Sequence, residues 1–298
     1  MSLSKYRAFV KIAQTGSLTS AARQLGYSQP AVSHMIESLE REFGFPLFIR
    51  NRDGILLTEN GKQVLDACCQ IINDENALQE TISSINGLLS GTIHLGAYTS
   101  MMLGFLPRAI RSFSDIYPSI QIHLQELLLS GLQDSLIRGS IDLAFMVNLA
   151  PKGFTFLPLI RDRICVIMRE DHPFASYEKV PPSLLNGCSF IKFGPEFDDY
   201  FDASLKNAPF SPSIRYYVTS DVAAMSLVSD GLGISVSSSL LQDILPRNVV
   251  ARELEGGFGR NLGIAVKSLR QAPPAVRELI RISKKAAQQM DSRHLTVL

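Results

Sequence analysis

The sequence predicts three successive parts: an N-terminal all-α unit of short helices, a long linker helix, and a C-terminal α/β region. Three observations support this prediction. Two short amphipathic helical patterns joined by a glycine precede residue 45, an apolar heptad pattern follows from residue 64, and strand and helix patterns alternate from residue 92. With 298 residues, 46% of them hydrophobic, the chain is long enough for about two domains with cores of their own.

The N-terminal unit is centred on two short helices. The first is predicted to begin at Ser17 or Thr19 and to end at Gly26, a residue that tolerates positive φ. The second begins after Ser28, a good N-cap, and the spacing of its apolar residues predicts one buried face. Its other face presents compact polar groups and no long acidic side chain: Gln29, Pro30, Ser33 and His34. This pattern is typical of a helix-turn-helix, whose second helix lies in the DNA major groove.

A basic hairpin follows the second helix. Asp53 and Gly54 form a strong hairpin-turn signal, and Arg50 and Arg52 precede it. We interpret this hairpin as a wing that contacts phosphates or the minor groove. The alternative is an ordinary helical hairpin inside a larger core, but a buried hairpin would have no use for two arginines at its tip.

A long helix is predicted from the N-cap Thr58 to about residue 89. Seven of eight positions spaced alternately by four and three are apolar, which is the pattern of a coiled-coil seam. The eight positions are Val64, Cys68, Ile71, Glu75, Leu78, Ile82, Ile85 and Leu89. We expect this helix to pair with a second copy of the chain and Glu75 to fix the register of the pair. A helix docked along the core of its own chain is the alternative.

Repeated strand and helix patterns in the last two thirds predict parallel sheets with helices on both faces. Strands are expected at 92–97, 120–127, 142–147, 154–160, 164–169, 189–193, 214–218, 233–237, 249–254 and 261–267. Helices are expected at 103–117, at 132–138, within 196–205, at 222–230 and at 273–290. The strict alternation of residues 120–127 suits an edge strand or a strand with one poorly covered face.

Ligands of such sheets lie beyond the carboxyl ends of the strands, where helix N-termini present free N–H groups. The loops at those positions predict a cleft of hydroxyl and N–H groups with apolar walls. Its residues would be Thr99, Ser100, Met101, Ser130, Val147, Asn148, Phe193, Gly194 and Ser220. Each hydroxyl taken alone could equally be a helix N-cap. The loops contain no Lys or Arg, which disfavours a strongly anionic ligand such as a polyphosphate, although N–H groups could hold a small carboxylate.

The composition argues against several classes of protein. The five histidines are scattered, the four cysteines lack metal-ligand spacing, and no phosphate-binding lysine loop or nucleophile elbow is present, so we expect no catalytic site, metal or cofactor. No apolar run approaches the roughly 18–20 residues that span a bilayer, and the first residues do not resemble an export signal. We therefore expect a cytoplasmic protein without a membrane partner. Residues 1–64 hold eight Lys/Arg and five Asp/Glu, so a small basic excess coincides with the helix-turn-helix.

Residues 8–62 resemble the N-terminal winged helix-turn-helix of the LysR-type transcriptional regulators, over the run AFVKIAQTGSLTSAARQLGYSQPAVSHMIESLEREFGFPLFIRNRDGILLTENGK. The rest of the chain resembles the family in length, order and scattered motifs. The resemblance implies a C-terminal effector-binding region of two Rossmann-like subdomains related to periplasmic binding proteins. It implies a DNA-binding domain at 1–57, a linker and dimerisation helix at 58–90, and an effector-binding domain at 91–298, with subdomain I at 91–161 and 268–298 and subdomain II at 162–267.

By this resemblance, the chain would be a sequence-specific DNA-binding regulator of transcription. A homodimer or homotetramer would bind promoter DNA of dyad symmetry, a small-molecule co-inducer would alter that binding, and the complex would contact RNA polymerase in the cytoplasm, at the nucleoid. The DNA contacts would come from Gln29, Pro30, Ser33 and His34 at base edges, Arg50 and Arg52 at the wing, and Ser17 and Thr19 at phosphates. Two alternatives stay open: a DNA-binding protein without an effector, and an enzyme with a helical appendage.

Overall fold

The computed structural model describes residues 2–51, 54–85, 91–193, 210–290 and 295–297. Its N-terminal part consists of helices α1 (Leu3–Thr15), α2 (Leu18–Leu25) and α3 (Gln29–Phe43), an antiparallel hairpin of β1 (Phe48–Asn51) and β2 (Gly54–Leu57), and the long helix α4 (Glu59–Ile85). The Ser17 and Ser28 hydroxyls accept hydrogen bonds from the Ser20 and Ala31 amides, and Gly26 ends α2 at a φ of 73°. The predicted winged helix-turn-helix is therefore confirmed.

The core of the N-terminal part includes the beginning of α4. The side chains of Phe9, Val32 and Leu39 are fully buried, and Cys68 of α4 packs in the same cluster. The helix itself begins where the sequence predicts, because the Thr58 hydroxyl accepts a hydrogen bond from the backbone amide of residue 61 at 2.8 Å. Its predicted end near residue 89 lies outside the described residues.

The apolar seam of α4 divides into two stretches. Its first two positions, 64 and 68, pack into the core of their own chain. Farther along, Ile71, Leu78 and Ile82 are 44%, 56% and 43% exposed. Glu75, the polar seam position, forms an ion pair with Arg7 of α1 at 2.5 Å. The helix is thus anchored to its own chain at one end and presents an apolar stripe beyond it; the side chains at 85 and 89 are not among those described.

The C-terminal part contains strands and helices in alternation. Its strands are β3 (Gly91–Ala97), β4 (Ile120–Glu126), β5 (Leu143–Val147), β6 (Thr155–Arg169), β7 (Lys179–Val180), β8 (Ser189–Phe193), β9 (Ser213–Val218), β10 (Ser235–Ser238), β11 (Val249–Leu254), β12 (Gly259–Val266) and β13 (Leu295–Val297). Its helices are α5 (Thr99–Gly104), α6 (Leu106–Ser114), α7 (Leu129–Arg138), α8 (Asp221–Ser229) and α9 (Pro274–Gln288), with a 3-10 helix at Ser239–Ile244. The larger sheet has the order β4-β3-β5-β12-β6-β11-β7, with β10 and β13 also paired to β6, while β8 and β9 form a separate pair. Strand β4 lies at a sheet edge, as predicted.

The larger sheet is mixed, which corrects the prediction of parallel sheets. Strand β3 runs parallel to β4 and β5, but β12 runs antiparallel to both β5 and β6. The segments predicted as two strands, 154–160 and 164–169, form the single 15-residue strand β6. Because the chain leaves the first subdomain along β6 and returns along β12 in the opposite direction, these neighbours pair antiparallel.

The return crossing lies earlier in the chain than the resemblance implies. Leu262, Ile264 and Val266 already pack in the core of the first subdomain, with side chains of β3, β5, α6 and α9. The second subdomain has its own clusters, one around Val166 and Phe190. The chain therefore re-enters the first subdomain near residue 260, and not near 267.

Several element boundaries also differ from the predictions. The helix predicted at 103–117 is two helices, α5 and α6, separated at Phe105. Pro107 accounts for the break, because proline cannot donate a backbone hydrogen bond to the preceding turn. Strand β13 was not predicted, and the helix predicted within 196–205 lies outside the described residues. No helix in the described parts of the chain is long and apolar enough to cross a membrane.

Candidate functional site

The N-terminal turn of α3 presents the side chains predicted to meet DNA bases. Gln29, Pro30 and His34 are exposed, and Ser33 is half-buried. Ser33 donates a hydrogen bond to the Glu37 carboxylate at 3.4 Å. The prediction that this face has no long acidic side chain was therefore wrong, because Glu37 lies one turn beyond Ser33 on the same face. The spacing of four residues could have revealed it.

The residues predicted to contact phosphate have different surroundings. Ser17 is half-buried and its hydroxyl caps α2, accepting from the Ser20 amide at 3.3 Å, whereas Thr19 is exposed in the first turn of that helix. The cap leaves the free N–H groups of the α2 N-terminus as the groups that could meet a phosphate.

The hairpin of β1 and β2 is held against α3 by Glu40. Its carboxylate accepts hydrogen bonds from the backbone amides of Leu47 and Phe48, at 2.6 and 3.3 Å. Arg50 lies on β1, although its side chain is not described, and Arg52 lies outside the described residues. The fixed start of the hairpin places the backbone of β1 beside α3.

A second group of polar residues lies where the two C-terminal subdomains meet. Asp162 of β6 is fully buried and forms an ion pair with Arg260 of β12, with 2.9 Å between Nε and Oδ2. Arg260 also donates a hydrogen bond to the Ser100 hydroxyl of α5 at 3.1 Å. Asp162 accepts further bonds from the Ser238 hydroxyl at 2.8 Å and from the Ser239 amide at 3.0 Å. The network therefore connects strands and helices of both subdomains.

Two further carboxylates lie close to this network. Asp221, the first residue of α8, is 7% exposed. Burial raises the pKa of its carboxyl to about 6; Arg260 acts in the opposite direction, while the charges of Glu126 and Asp162 raise it further. Glu126, at the end of β4, is exposed and accepts a hydrogen bond from the Thr99 hydroxyl. Asp221 thus belongs to the second subdomain and Glu126 to the first, and their charges interact across the junction.

The predicted cleft residues divide between this junction and the core. Thr99 and Ser100 lie at the junction, and the Ser220 hydroxyl caps α8 immediately before Asp221, accepting from the Ala223 amide at 3.1 Å. Of the hydroxyl groups that could be N-caps, only that of Ser220 is one, since residues 98 and 128 occupy the caps of α5 and α7.

The apolar residues predicted as cleft walls are buried in the cores. Met101 and Val147 are 0% exposed and Phe193 is 5% exposed, so a ligand could reach little more than their backbones. Ser130 and Asn148 are exposed, and no described contact joins them to the junction. Gly194 lies outside the described residues.

Sequence reasoning missed the charged residues of the junction. It found no Lys or Arg in the loops, and Arg260 indeed comes from a strand. One signal was available: Asp162 stands between the apolar residues Ile160 and Ile164 of a predicted strand pair, a context in which charges are rare unless they are paired. The partner of Asp162 could not have been found this way, because it lies 98 residues later.

The described residues offer little for covalent or metal chemistry. Burial raises the pKa of the Cys165 thiol to about 12 and that of the Cys68 thiol to about 11, which keeps both in the unreactive protonated form. Within the described parts of the chain, no three His, Cys, Asp or Glu residues are grouped as metal ligands would be.

Comparison with known families agrees with this architecture. Residues 3–62 match the model described as "Bacterial regulatory helix-turn-helix protein, lysR family", and residues 86–288 match the model described as "LysR substrate binding domain". The chain belongs to the LysR-type transcriptional regulators. This LysR-type regulator is 30% identical to the uncharacterized HTH-type transcriptional regulator YvbU of Bacillus subtilis (strain 168), over 95% of the chain and 98% of the relative. It is 27% identical to the Hca operon transcriptional activator HcaR of Escherichia coli (strain K12), over 95% and 97% respectively. Its relatives and domains are those of transcriptional regulators and not of enzymes.

Solved structures of LysR-type regulators share the fold. A full-length OxyR variant from Pseudomonas aeruginosa superimposes with a TM-score of 0.79 at 22% identity, covering 99% of this chain and 98% of that one. CbnR, crystallised in complex with its target DNA, superimposes with a TM-score of 0.59 at 19% identity, covering 96% and 100%. The fold therefore holds over the full length of both neighbours.

Proposed function

We propose that this LysR-type regulator binds promoter DNA of dyad symmetry as a dimer or tetramer, and that a small molecule bound between its two C-terminal subdomains changes that binding. The units would be 1–57 for DNA, 58–90 for pairing and 91–298 for the effector. The regulator would act in the cytoplasm, at the nucleoid, where it would contact RNA polymerase. A DNA complex is known for its structural neighbour CbnR.

The observation that carries the effector half of the proposal is the buried network between the subdomains. Asp162 and Arg260 lie on the two strands that cross between them, and Ser100 and Ser238 extend the network into each one. A ligand that contacts residues on both sides favours one relative arrangement of the subdomains, and its differential affinity shifts the equilibrium toward that arrangement.

The DNA-binding part of the proposal rests on α3, which would lie in the major groove. Gln29 is exposed in the first turn of α3, where an amide can donate to and accept from one adenine edge. Pro30 and His34 lie beside it and could contact a thymine methyl group and a further base or phosphate, respectively. Ser33 and the wing residues Arg50 and Arg52, with Ser17 and Thr19 at the α2 N-terminus, complete the proposed interface.

The experiment that tests the proposal is footprinting of the full chain on the intergenic DNA beside its own gene. The footprint is recorded with and without each member of a panel of amino acids, amines, sugars and carboxylic acids. We expect a protected dyad whose length or bend changes with one compound. Protection that no compound alters would instead favour a DNA-binding protein without an effector.

A pair of variants tests the DNA contacts in the same assay. Gln29→Ala should weaken binding to the protected site by about 5- to 150-fold, which corresponds to ~1–3 kcal/mol for one good bidentate pair, and should leave binding to unrelated DNA nearly unchanged. Gln288→Ala, an exposed glutamine of α9, is the matched control and should have no effect. Equal losses on the specific site and on unrelated DNA would contradict the assignment of Gln29 to a base edge.

A further inference from the structure

One face of α3 carries polar side chains at intervals of four residues: Gln29, Ser33 and Glu37. Gln29 and Glu37 are exposed, and Ser33 is half-buried. Residues four apart lie above one another on the same face of a helix. At 1.5 Å per residue, Glu37 lies about 12 Å along the helix axis from Gln29, which is roughly the width of the DNA major groove. A helix lying in that groove would therefore bring the two side chains to different base pairs.

Glu37 differs from the other acidic residues of α3 in its surroundings. Glu40 accepts hydrogen bonds from two backbone amides at the start of the hairpin, and Glu42 forms an ion pair with Lys5 of α1. Glu37 accepts a hydrogen bond from the Ser33 hydroxyl at 3.4 Å, and within the described parts of the chain no cation pairs with it. Because 3.4 Å is long for a hydroxyl donor, this bond is weak, and the carboxylate can turn toward a better donor.

Glu37 also lies beside the hairpin of β1 and β2. With Ser33, Phe48 and Ile55, it lines a cavity of about 70 Å³ between α3 and the hairpin. Sites for small molecules usually have volumes of about 300–1,000 Å³, so this cavity is too small to be one. The Glu37 carboxylate is therefore open to a large molecule that covers α3 and the hairpin together.

A carboxylate in the major groove has a narrow choice of partners, because it accepts hydrogen bonds and does not donate them. The amino group at cytosine N4 is a suitable donor, whereas guanine and thymine present acceptor atoms that repel a carboxylate. Adenine also has an amino group, but its N7 acceptor lies next to it. The phosphates of the DNA backbone repel a carboxylate as well. Cytosine is thus the base that best complements Glu37.

We propose that Glu37 selects cytosine at one position of each half-site by accepting a hydrogen bond from its N4 amino group. The inference rests on the proposed function, in which α3 lies in the major groove, and it specifies a base that the Gln29 contact does not. In the absence of DNA, the Ser33 hydroxyl holds Oε1 of Glu37. The second carboxylate oxygen, Oε2, accepts no hydrogen bond from the described residues.

The test is the selection of binding sites by the full chain from DNA fragments in which the bases of a dyad are randomised. The parent chain should select cytosine over each other base by about fivefold or more at one position of each half-site. Glu37→Gln should lose this preference and shift it toward adenine, because an amide can donate to adenine N7 and accept from N6. The base selected by Gln29 should stay unchanged.

Glu42→Gln is the matched control. It removes the same charge from the same helix, but from a carboxylate that is bound by Lys5. Either substitution removes a negative charge and should raise the affinity for all DNA sequences slightly, whereas only Glu37→Gln should change the selected base. Because Glu37 is exposed, Glu37→Gln should melt within about 2 °C of the parent chain, so a change of base would not reflect unfolding.

The outcomes separate this inference from the proposed function. A parent chain and a Glu37→Gln variant that select the same bases would overturn the inference and leave the proposed DNA binding intact. An equal change of base in Glu42→Gln would also overturn it, because the effect would then follow from charge and not from a contact. A parent chain that selects no dyad would overturn both the inference and the DNA-binding part of the proposed function.

Discussion

Asp221 shows how one buried side chain makes the stability of the fold depend on pH. In the unfolded chain its carboxyl has the ordinary pKa of 3.8, and burial raises the folded-state pKa to about 6. Between these values the folded protein binds more protons than the unfolded one. The contribution of Asp221 to the free energy of unfolding therefore decreases as pH rises from 3.8 to about 6 and stays low above that.

Asp221→Asn should remove this pH-dependent loss in the free energy of unfolding. We expect the variant to be more stable than the parent at pH 7.5 by on the order of 2 kcal/mol, and nearly equal to it at pH 4. The measurement is urea unfolding of both proteins at several pH values. The contributions of the other carboxyl groups cancel in the difference between the two free energies of unfolding. A difference that does not change between pH 4 and 7.5 would contradict the assigned cause.

Only some of the residues at the junction could be predicted from the sequence. Thr99, Ser100 and Ser220 were predicted because strand ends and cap-forming hydroxyls are local signals. Arg260 was not, since its partners Asp162 and Ser100 lie 98 and 160 residues earlier in the chain. Contacts at such separations depend on how the strands pair, which a single sequence does not reveal.

At the scale of elements, the sequence predicts the starts of the helices correctly where a side chain caps them. The caps at Ser17, Ser28 and Thr58 begin α2, α3 and α4 where the sequence predicts, because each hydroxyl accepts from an amide of the first turn. The relative directions of the strands were not predicted correctly. Strand–helix alternation predicted parallel sheets, but β6 and β12 cross between subdomains in opposite directions and pair antiparallel. The spacing of apolar residues along the chain indicates which residues are buried, but it does not indicate which strands are neighbours in a sheet.

The exposed part of the α4 seam predicts how the chain pairs. Ile71, Leu78 and Ile82 form an apolar stripe with no cover in the described chain, so a charge placed there would be buried in a paired helix. We expect Ile82→Asp to weaken dimerisation by about tenfold or more, since an unpaired buried charge costs several kcal/mol. Binding to a full dyad should fall far more than binding to a half-site. Sedimentation velocity and binding titrations with both DNA fragments would measure this.

The matched control for the seam is Gln63→Asp. It introduces the same acid into the same helix at an exposed position outside the stripe. We expect its dimerisation and its preference for the full dyad to match those of the parent chain. Equal losses on dyad and half-site in Ile82→Asp, or equal effects of the two variants, would argue for the alternative in which α4 only supports its own chain.

At the scale of the whole molecule, the two C-terminal subdomains are joined by more than their crossing strands. Helix α5 of the first subdomain packs against the 3-10 helix Ser239–Ile244 of the second, close to the ion pair of Asp162 and Arg260. The approach is close because Gly104, at the end of α5, has no side chain. A Cβ atom at this position would lie 2.4 Å from the Leu240 carbonyl oxygen.

Gly104→Ala should therefore separate the subdomains at this contact. The added methyl group meets backbone, which cannot move aside alone, so we expect a loss of about 1–3 kcal/mol in the free energy of unfolding and a weaker response of the footprint to ligand. Gly131→Ala is the control: a Cβ atom there meets only side-chain atoms of Leu127, at 3.5 Å or more, and alanine favours the helix by roughly 0.5–1 kcal/mol. Urea unfolding and footprinting of both variants would measure the effects. Gly104→Ala could instead match its control in stability and in its response to ligand. The contact between α5 and the 3-10 helix would then not be the part of the molecule that transmits ligand binding. In that case the crossing strands alone would have to couple the junction to the DNA-binding helices.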